Sequence, residues 1–258
     1  MTISLAELAR YTDSLLETRV IPDYPNALNG VQIYNQAPIR KVVAAVDFST
    51  RAIQGAVASG ANLLLVHHGM FWSGLEPITG SHYNRVRMLI EADIAVYSSH
   101  LPLDRHPTLG NNVLLAKELG IEPSGAFARF EDTLIGLLGE SDIETAALIA
   151  SALEFTRTRG GELRTSQVQA GRRTRKWAIC TGAGASADTL REATLMGVDT
   201  LIVGEGPHWT AVHAEENDLV IIYAGHYATE TLGVCALAQH LSEKYDLPWS
   251  FVSAPTGL

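Results

Sequence analysis

The stretch Ala61-Asn-Leu-Leu-Leu-Val-His-His-Gly69 decides how this chain is read. A mostly apolar run leads into two adjacent imidazoles and closes on a glycine. Such a short run bounded by Gly predicts a buried strand. Its carboxyl end is where an open α/β sheet places its ligands. His67 and His68 stand there as nitrogen donors for one metal ion or two. Taken alone, adjacent histidines serve equally well as hydrogen-bonded structural residues, so the neighbouring segments must decide.

Around this stretch, strand and helix patterns alternate. Ser4-Leu-Ala-Glu7 is a capping box, and its helix is expected to run to about Leu16. Pro22, Pro25 and Asn29-Gly30 mark a turn-rich loop. Lys41 to Val46 reads as a strand ending at Asp47, and a helix over 50–59 ends at Gly60. Met70 to Gly80 reads as a loop, followed by a helix over 82–92, the strand Ile94–Tyr97 and a helix after Gly110-Asn-Asn. Further on, strands are expected at Thr133–Leu138, Glu162–Val168, Lys176–Cys180, Thr200–Val203 and Leu219–Ala224. Helices are expected at 142–153, at 186–196 and, as a long element after Gly225-His-Tyr-Ala-Thr-Glu230, to about Tyr245. The alternation predicts an α/β or mixed α+β class.

The chain also resembles itself. Ile94-Ala-Val-Tyr-Ser-Ser-His-Leu-Pro-Leu-Asp104 aligns with Val220-Ile-Ile-Tyr-Ala-Gly-His-Tyr-Ala-Thr-Glu230, so that His100 matches His226 and Asp104 matches Glu230. Upstream, Ser59–Gly69 aligns with Met196–Gly206 and sets His67-His68 against Gly204-Glu205. Two similar α/β lobes follow, 1–126 and 127–258. Chance likeness between two βα units is the competing explanation. If the lobes face one another, His67, His68, Asp104, Glu205, His226 and Glu230 line one cleft.

Imidazoles with carboxylates suit Zn, Fe, Mn, Ni or Co better than Mg or Ca. Five ligands exceed one tetrahedral zinc site, so two divalent ions with shared ligands fit the count better. Such a pair activates water and clamps both sides of a displacement, which suits metal-dependent hydrolysis, with a phosphoester as a physical target. Each residue also has a plain structural reading. His68 bonds within the fold, His226 caps a helix, Glu230 is a solvated helix residue, and Asp104 pairs with a loop cation. Against that, all five lie just after expected strands, in the same sense, in two similar units.

Composition narrows the class. At 258 residues, 47% hydrophobic and 18% charged, the chain can bury a core and is not of a disordered composition. A net charge of -9 argues against a general nucleic-acid binder. No apolar run approaches the roughly 18 residues of a spanning helix. The first residues lack the basic and apolar pattern of a signal peptide. Cys180 and Cys235 are widely spaced in apolar contexts, which fits free thiols in a reducing cytoplasm.

Three weaker signals complete the reading. Seven Lys or Arg fall within 157–176, with Trp177 adjacent for stacking; a solvated hairpin is favoured over a nucleic-acid or phosphate patch. Gly182-Ala-Gly184 before a helix is a weak phosphate cradle, with no Walker lysine. Phe71, Trp72 and Trp209 flank the candidate ligand turns and suit a planar substrate, the core or a subunit interface.

Ala45-Val-Asp-Phe-Ser49, Leu65-Val-His-His-Gly-Met-Phe71, Ser99-His-Leu-Pro-Leu-Asp104 with Gly110-Asn-Asn112, and Tyr223-Ala-Gly-His-Tyr-Ala-Thr-Glu230 together resemble the NIF three-like family. Its members are often named GTP cyclohydrolase 1 type 2 homologues. The resemblance covers nearly the whole chain, more weakly between 141 and 172. It implies a two-lobed α/β fold, a homohexameric toroid and a dinuclear metal centre facing the interior. It carries metal-ligand roles onto His67, His68, Asp104, His226 and Glu230. His100 and Glu205 fall on polar motif positions beside the centre, Glu205 as support or as catalytic acid/base. The family's naming suggests GTP, opened by attack of water at C8, although no guanine-reading motif is visible. The chain departs from the pattern at Leu28-Asn-Gly-Val31, where many relatives have Asp-Asn-Gly-Leu, and after Glu205 at Gly206-Pro-His-Trp209, where relatives vary. A non-catalytic metal-binding regulatory protein, assembled as a ring, is the rival reading.

Overall fold

The computed structural model describes residues 2–257. The first elements are α1 (Leu5–Leu15), β1 (Gly30–Ile33), β2 (Val42–Asp47), α2 (Thr50–Ser59), β3 (Leu63–His68), α3 (Gly80–Glu91) and β4 (Ala95–Ser98). There follow α4 (Leu101–Asp104), α5 (Asn111–Glu118), β5 (Gly125–Phe130), β6 (Thr133–Glu144), α6 (Thr145–Arg157), β7 (Arg164–Thr165) and β8 (Arg173–Cys180). The last are α7 (Ala187–Leu195), β9 (Thr200–Val203), α8 (Trp209–Glu216), β10 (Val220–Tyr223), α9 (His226–Tyr245) and β11 (Trp249–Phe251). The class is mixed α/β, as the alternation predicted.

The chain divides into two compact units, one of residues up to Leu103 with Gly233–Ala254, the other of Asp104–Leu232 with Pro255 onward. The sequence division at 126 runs along the chain. Compactness groups residues otherwise, because β11 near the C-terminus pairs in parallel with β2.

The first unit holds a five-stranded sheet in the order β1-β4-β3-β2-β11. Its four strands from β4 to β11 are parallel, and β1 runs antiparallel at the edge. Every residue of β3 is buried, as expected of an apolar run covered on both faces. Val43, Ala45, Leu64, Val66 and Val96 pack with Ile53 of α2 and Leu89 of α3 on one face. Ser4 caps α1 by accepting from the Glu7 amide, and Gly60 ends α2 at φ 70°, a left-handed cap that glycine adopts without strain.

The second unit holds a six-stranded sheet in the order β5-β6-β8-β9-β10-β7. Here β8, β9 and β10 are parallel, and β7 is the antiparallel edge. The run β7-β10-β9-β8 thus repeats β1-β4-β3-β2 in order and direction, and the aligned segments fall on β4 with β10 and β3 with β9. Alternate side chains enter separate cores. Ala178, Cys180, Leu201, Val203 and Ile221 pack on one face, and Trp177, Ile179, Ile202, Val220 and Ile222 on the other.

Several expectations need adjustment. The strand from Thr133 continues to Glu144, so the helix expected at 142 starts at Thr145. The strand expected at 162–168 shrinks to Arg164–Thr165, paired with Tyr223 and Ile222 of β10, and the ladder stops where the Ser166 hydroxyl takes the Ile221 amide in place of a backbone carbonyl. β1, β5, α8 and β11 had no sequence expectation. Trp177 is fully buried and belongs to the core, which removes the base-stacking reading. The basic segment is ion-paired: Arg159 with Glu118, Arg164 with Glu162, Arg172 with Asp218 and Arg173 with Asp142. The charges are thus met at the surface, as expected, but the segment is not a hairpin, because β7 pairs with β10 and β8 with β6 and β9.

Candidate metal-ligand clusters

In the first unit, the carboxyl end of β3 delivers His67 and His68, and the turn after β4 delivers His100. All three are buried. One donor atom from each lies within 4.8 Å of the other two, close enough for a single ion. His100, expected only to support the ligands, is therefore a candidate donor. Trp72 packs on this group, its ring centroid 4.5 Å from that of His100 and 4.8 Å from that of His68.

Each ring is oriented by an oxygen. His67 Nδ1 donates to the Ser99 carbonyl at 2.8 Å. A carbonyl only accepts, so Nδ1 carries the proton and the neutral ring keeps its lone pair on Nε2. His68 Nδ1 meets Asp47 Oδ1 at 2.8 Å, and His100 Nδ1 meets Asp23 Oδ1 at 2.8 Å. Asp23 is itself fixed, accepting also from the Leu101 amide at 2.9 Å and from Asn29 Nδ2 at 2.8 Å. This is how proteins prepare imidazole for a metal: the outer nitrogen is tied to an acceptor, which fixes the tautomer and raises the basicity of the other.

Gln32 secures the turn that follows. Its Nε2 donates to the Ala27 and Leu28 carbonyls, each at 3.1 Å, and its Oε1 accepts from the Met70 amide at 2.7 Å. A Cβ on Gly69 would run into the Gln32 side chain, which explains the glycine after the two histidines.

In the second unit, α9 begins at His226 and carries Glu230 one turn on, so both side chains share a face. His226 Nε2 lies 3.2 Å from Glu230 Oε2, and its Nδ1 2.9 Å from Glu205 Oε1. Burial disfavours the charged ring, but the Glu230 and Glu205 carboxylates outweigh it and push the His226 pKa up to about 9. Two glycines make room. A Cβ on Gly182 would collide with Glu230 Oε1, and one on Gly204 would sit 2.8 Å from the His226 Cα. The Gly-rich turn expected as a weak phosphate cradle thus clears space for a carboxylate. Thr229 locks the same corner, accepting from the Gly182 amide at 3.1 Å and donating to the His226 carbonyl at 2.9 Å.

Asp104 is buried in this unit. Its Oδ1 accepts from Asn111 Nδ2 at 2.8 Å and from the Thr181 hydroxyl at 3.5 Å. Asn112 accepts from the Thr181 amide at 2.9 Å and so braces the same corner. Nearby Cys180 has its thiol pushed up to about 12, by burial first and then by Asp104 and Glu230, so it is a protonated core residue.

Within the first unit, His67, His68 and His100 come together; within the second, His226 and Glu230 do, with Glu205 behind them. Asp23, Asp47, Ser99 and Gln32 escaped sequence reasoning. Asp47 alone left a trace, as the acid closing the strand before the histidines; in the sheet it is the register partner of His68. The donor set, imidazoles with carboxylates and oxygen acceptors behind the rings, fits zinc or a divalent transition ion.

A family model, Duf34/NIF3 (NGG1p interacting factor 3), matches residues 3–256. The chain is 38% identical over 252 residues to a protein of Deinococcus radiodurans named GTP cyclohydrolase 1 type 2 homolog, covering 98% of this chain and 94% of that one. Among solved structures, protein ybgI matches with a TM-score of 0.88 at 33% identity over 99% of this chain and 100% of that one. The protein TTHA1606 of Thermus thermophilus matches with a TM-score of 0.84, again at 33% identity, over 99% and 100%.

Proposed function

This chain belongs to the Duf34/NIF3 family, and on that premise we propose that it is a divalent-metal-dependent hydrolase. The residues that would hold two ions per chain are His67 and His68 in the first unit and Asp104, His226 and Glu230 in the second. Zn, Fe, Mn, Ni and Co are the candidates. The observation that carries the reading is the orientation of the rings. His67, His68 and His226 each have Nδ1 tied to an oxygen, at 2.8, 2.8 and 2.9 Å, which reserves Nε2 for a metal. Bound there, divalent ions supply Lewis acidity and lower the pKa of water towards neutrality.

The remaining roles fall to the chain's own groups. Asp23 holds the ring of His100, a further candidate donor, and Asn111 and Thr181 fix the Asp104 carboxylate. Glu205 steadies His226 and is the candidate proton carrier. Trp72 packs on His68 and His100 and keeps water from their faces. A nucleotide or phosphoester is the substrate class, in line with the naming of the relatives. A homohexameric ring belongs to the same proposal.

Chelated protein assayed against a panel of nucleotides and phosphoesters, before and after adding back Mn, Fe or Zn, tests the reading. Turnover is expected only with metal, and is expected to vanish in His226→Ala with the fold retained. No metal-stimulated turnover on any panel member contradicts it. The family description itself names an interacting factor, which favours a second reading: metals that serve assembly. On that reading His226→Ala dissolves the oligomer while no catalysis is found.

A further inference from the structure

His67, His68 and His100 all lie in the first unit, with one donor atom of each within 4.8 Å of the other two. We infer that His100 is a metal ligand, and that these three imidazoles hold one ion without any residue of the second unit. The ion itself comes from the metal-dependent reading above; the choice of ligands does not depend on turnover.

A histidine that only supports a ligand hydrogen-bonds to that ligand. His100 makes no hydrogen bond to His67 or His68 among the described residues. Its Nδ1 bonds instead to Asp23 Oδ1 at 2.8 Å, and the two side chains are only 8% and 7% exposed. Nε2, the nitrogen left over, has no hydrogen-bond partner among the described residues. The ring centroid lies 4.9 Å from that of His67 and 5.6 Å from that of His68. The main chain is pinned as well. The His100 amide donates to Asn29 Oδ1 at 2.8 Å, and the Leu101 amide to Asp23 Oδ2 at 2.9 Å. The ring is thus placed before any ion arrives, which cuts the cost of ordering it on binding.

The internal repeat points the same way. His100 and His226 occupy one aligned position, the first following β4 and the second following β10. Each has Nδ1 on a carboxylate, Asp23 at 2.8 Å and Glu205 at 2.9 Å. His226 is a proposed ligand, and His100 carries the same preparation. No carboxylate is among the three donors, so zinc or nickel suits the site better than manganese. Three imidazoles leave one position of a tetrahedral zinc ion open, which is the ligand count of a catalytic rather than a structural zinc.

Zinc binding to the chelated full chain, by competition with a chromogenic chelator, is the test, with X-ray absorption to count imidazoles. His226→Ala, which disables the second unit's cluster, is expected to keep one zinc ion bound through three imidazoles. Adding His100→Ala to it is expected to weaken that ion more than roughly 100-fold, beyond the 10- to 100-fold that losing a group behind a ligand costs. Should the double variant fail to fold, the imidazole count in His226→Ala decides alone. Two or fewer imidazoles, a loss no greater than that of a group behind a ligand, or a His226→Ala protein that holds no zinc overturns the inference. The three-imidazole ion in a protein without metal-stimulated turnover overturns the hydrolase reading alone. Metal-stimulated turnover in the wild type, with two or fewer imidazoles on the ion in His226→Ala, overturns the His100 assignment alone.

Discussion

His226 stands between two carboxylates, its Nδ1 2.9 Å from Glu205 Oε1 and its Nε2 3.2 Å from Glu230 Oε2. Glu205 is 21 residues upstream at the end of another strand, whereas Glu230 is one helical turn away. The two acids therefore do different work. Glu230 meets the nitrogen that a metal would claim, and Glu205 meets the one that sets the ring.

Glu205→Ala is accordingly expected to lower metal affinity roughly 10- to 100-fold, the usual cost of losing an acceptor behind a ligating histidine. Glu205→Gln keeps an acceptor for Nδ1 and is expected to fall between Ala and wild type. Competition with a chromogenic chelator measures it. Equal affinity in all three proteins would show that Glu205 does not orient the ring.

The acids also set a pH dependence. In the metal-free protein the His226 pKa rises from 6.5 to about 9. The folded state then binds this proton more tightly than the unfolded chain. Its stabilisation is complete below about pH 6.5 and is lost as pH rises through about 9. The size is on the order of 1–3 kcal/mol. Urea unfolding of chelated protein at pH 6 and pH 9.5, with His226→Gln as reference, reads the difference. A wild-type-minus-variant stability that stays flat across that range contradicts the prediction.

Gly182 adopts φ 63°, and its missing Cβ is where Glu230 Oε1 lies. Gly182→Ala meets backbone strain and a displaced carboxylate together, with an expected loss of about 1–3 kcal/mol. Metal content is expected to fall with it. Gly197, also left-handed at φ 67° but with nothing within 4 Å of a Cβ, is the control. Gly197→Ala should show backbone strain alone, with metal content intact.

Gly69 and Gln32 form a matched pair, since a Cβ at 69 meets the Gln32 side chain. Gly69→Ala is expected to destabilise by about 1–3 kcal/mol. Gln32→Ala also loses hydrogen bonds, at about 1 kcal/mol each. The double variant is expected to be more stable than the sum of the two predicts, because the overlap disappears with the Gln32 side chain. Strict additivity in thermal unfolding would contradict this.

How far the sequence spoke differs from residue to residue. The strand Leu63–His68, the caps at Ser4 and Gly60 and the likeness of the two halves follow local rules, namely apolar runs, oxygen caps and left-handed glycines. The short edge strands β1, β7 and β11 take their form from partners far along the chain, so local pattern missed two of them and overextended the third. Asp23 illustrates the same limit at the site. It lies 77 residues from His100 and in a Pro-rich loop, with nothing nearby to mark it. Trp177 adjoins a basic run, which raised stacking only as the disfavoured reading, and its strand position points it into the core. Gly182-Ala-Gly184 looked like a place for an anionic ligand and turns out to accommodate Glu230, an anion of the chain itself.

The most direct measurement is metal per chain, by elemental analysis of protein purified without a metal-affinity tag, alongside His67→Ala and Glu230→Ala. The account predicts about two divalent ions in the wild type and a fall in both variants. Trace metal only, unchanged in the variants and after incubation with Mn, Fe or Zn, would contradict it and leave the histidines a structural role.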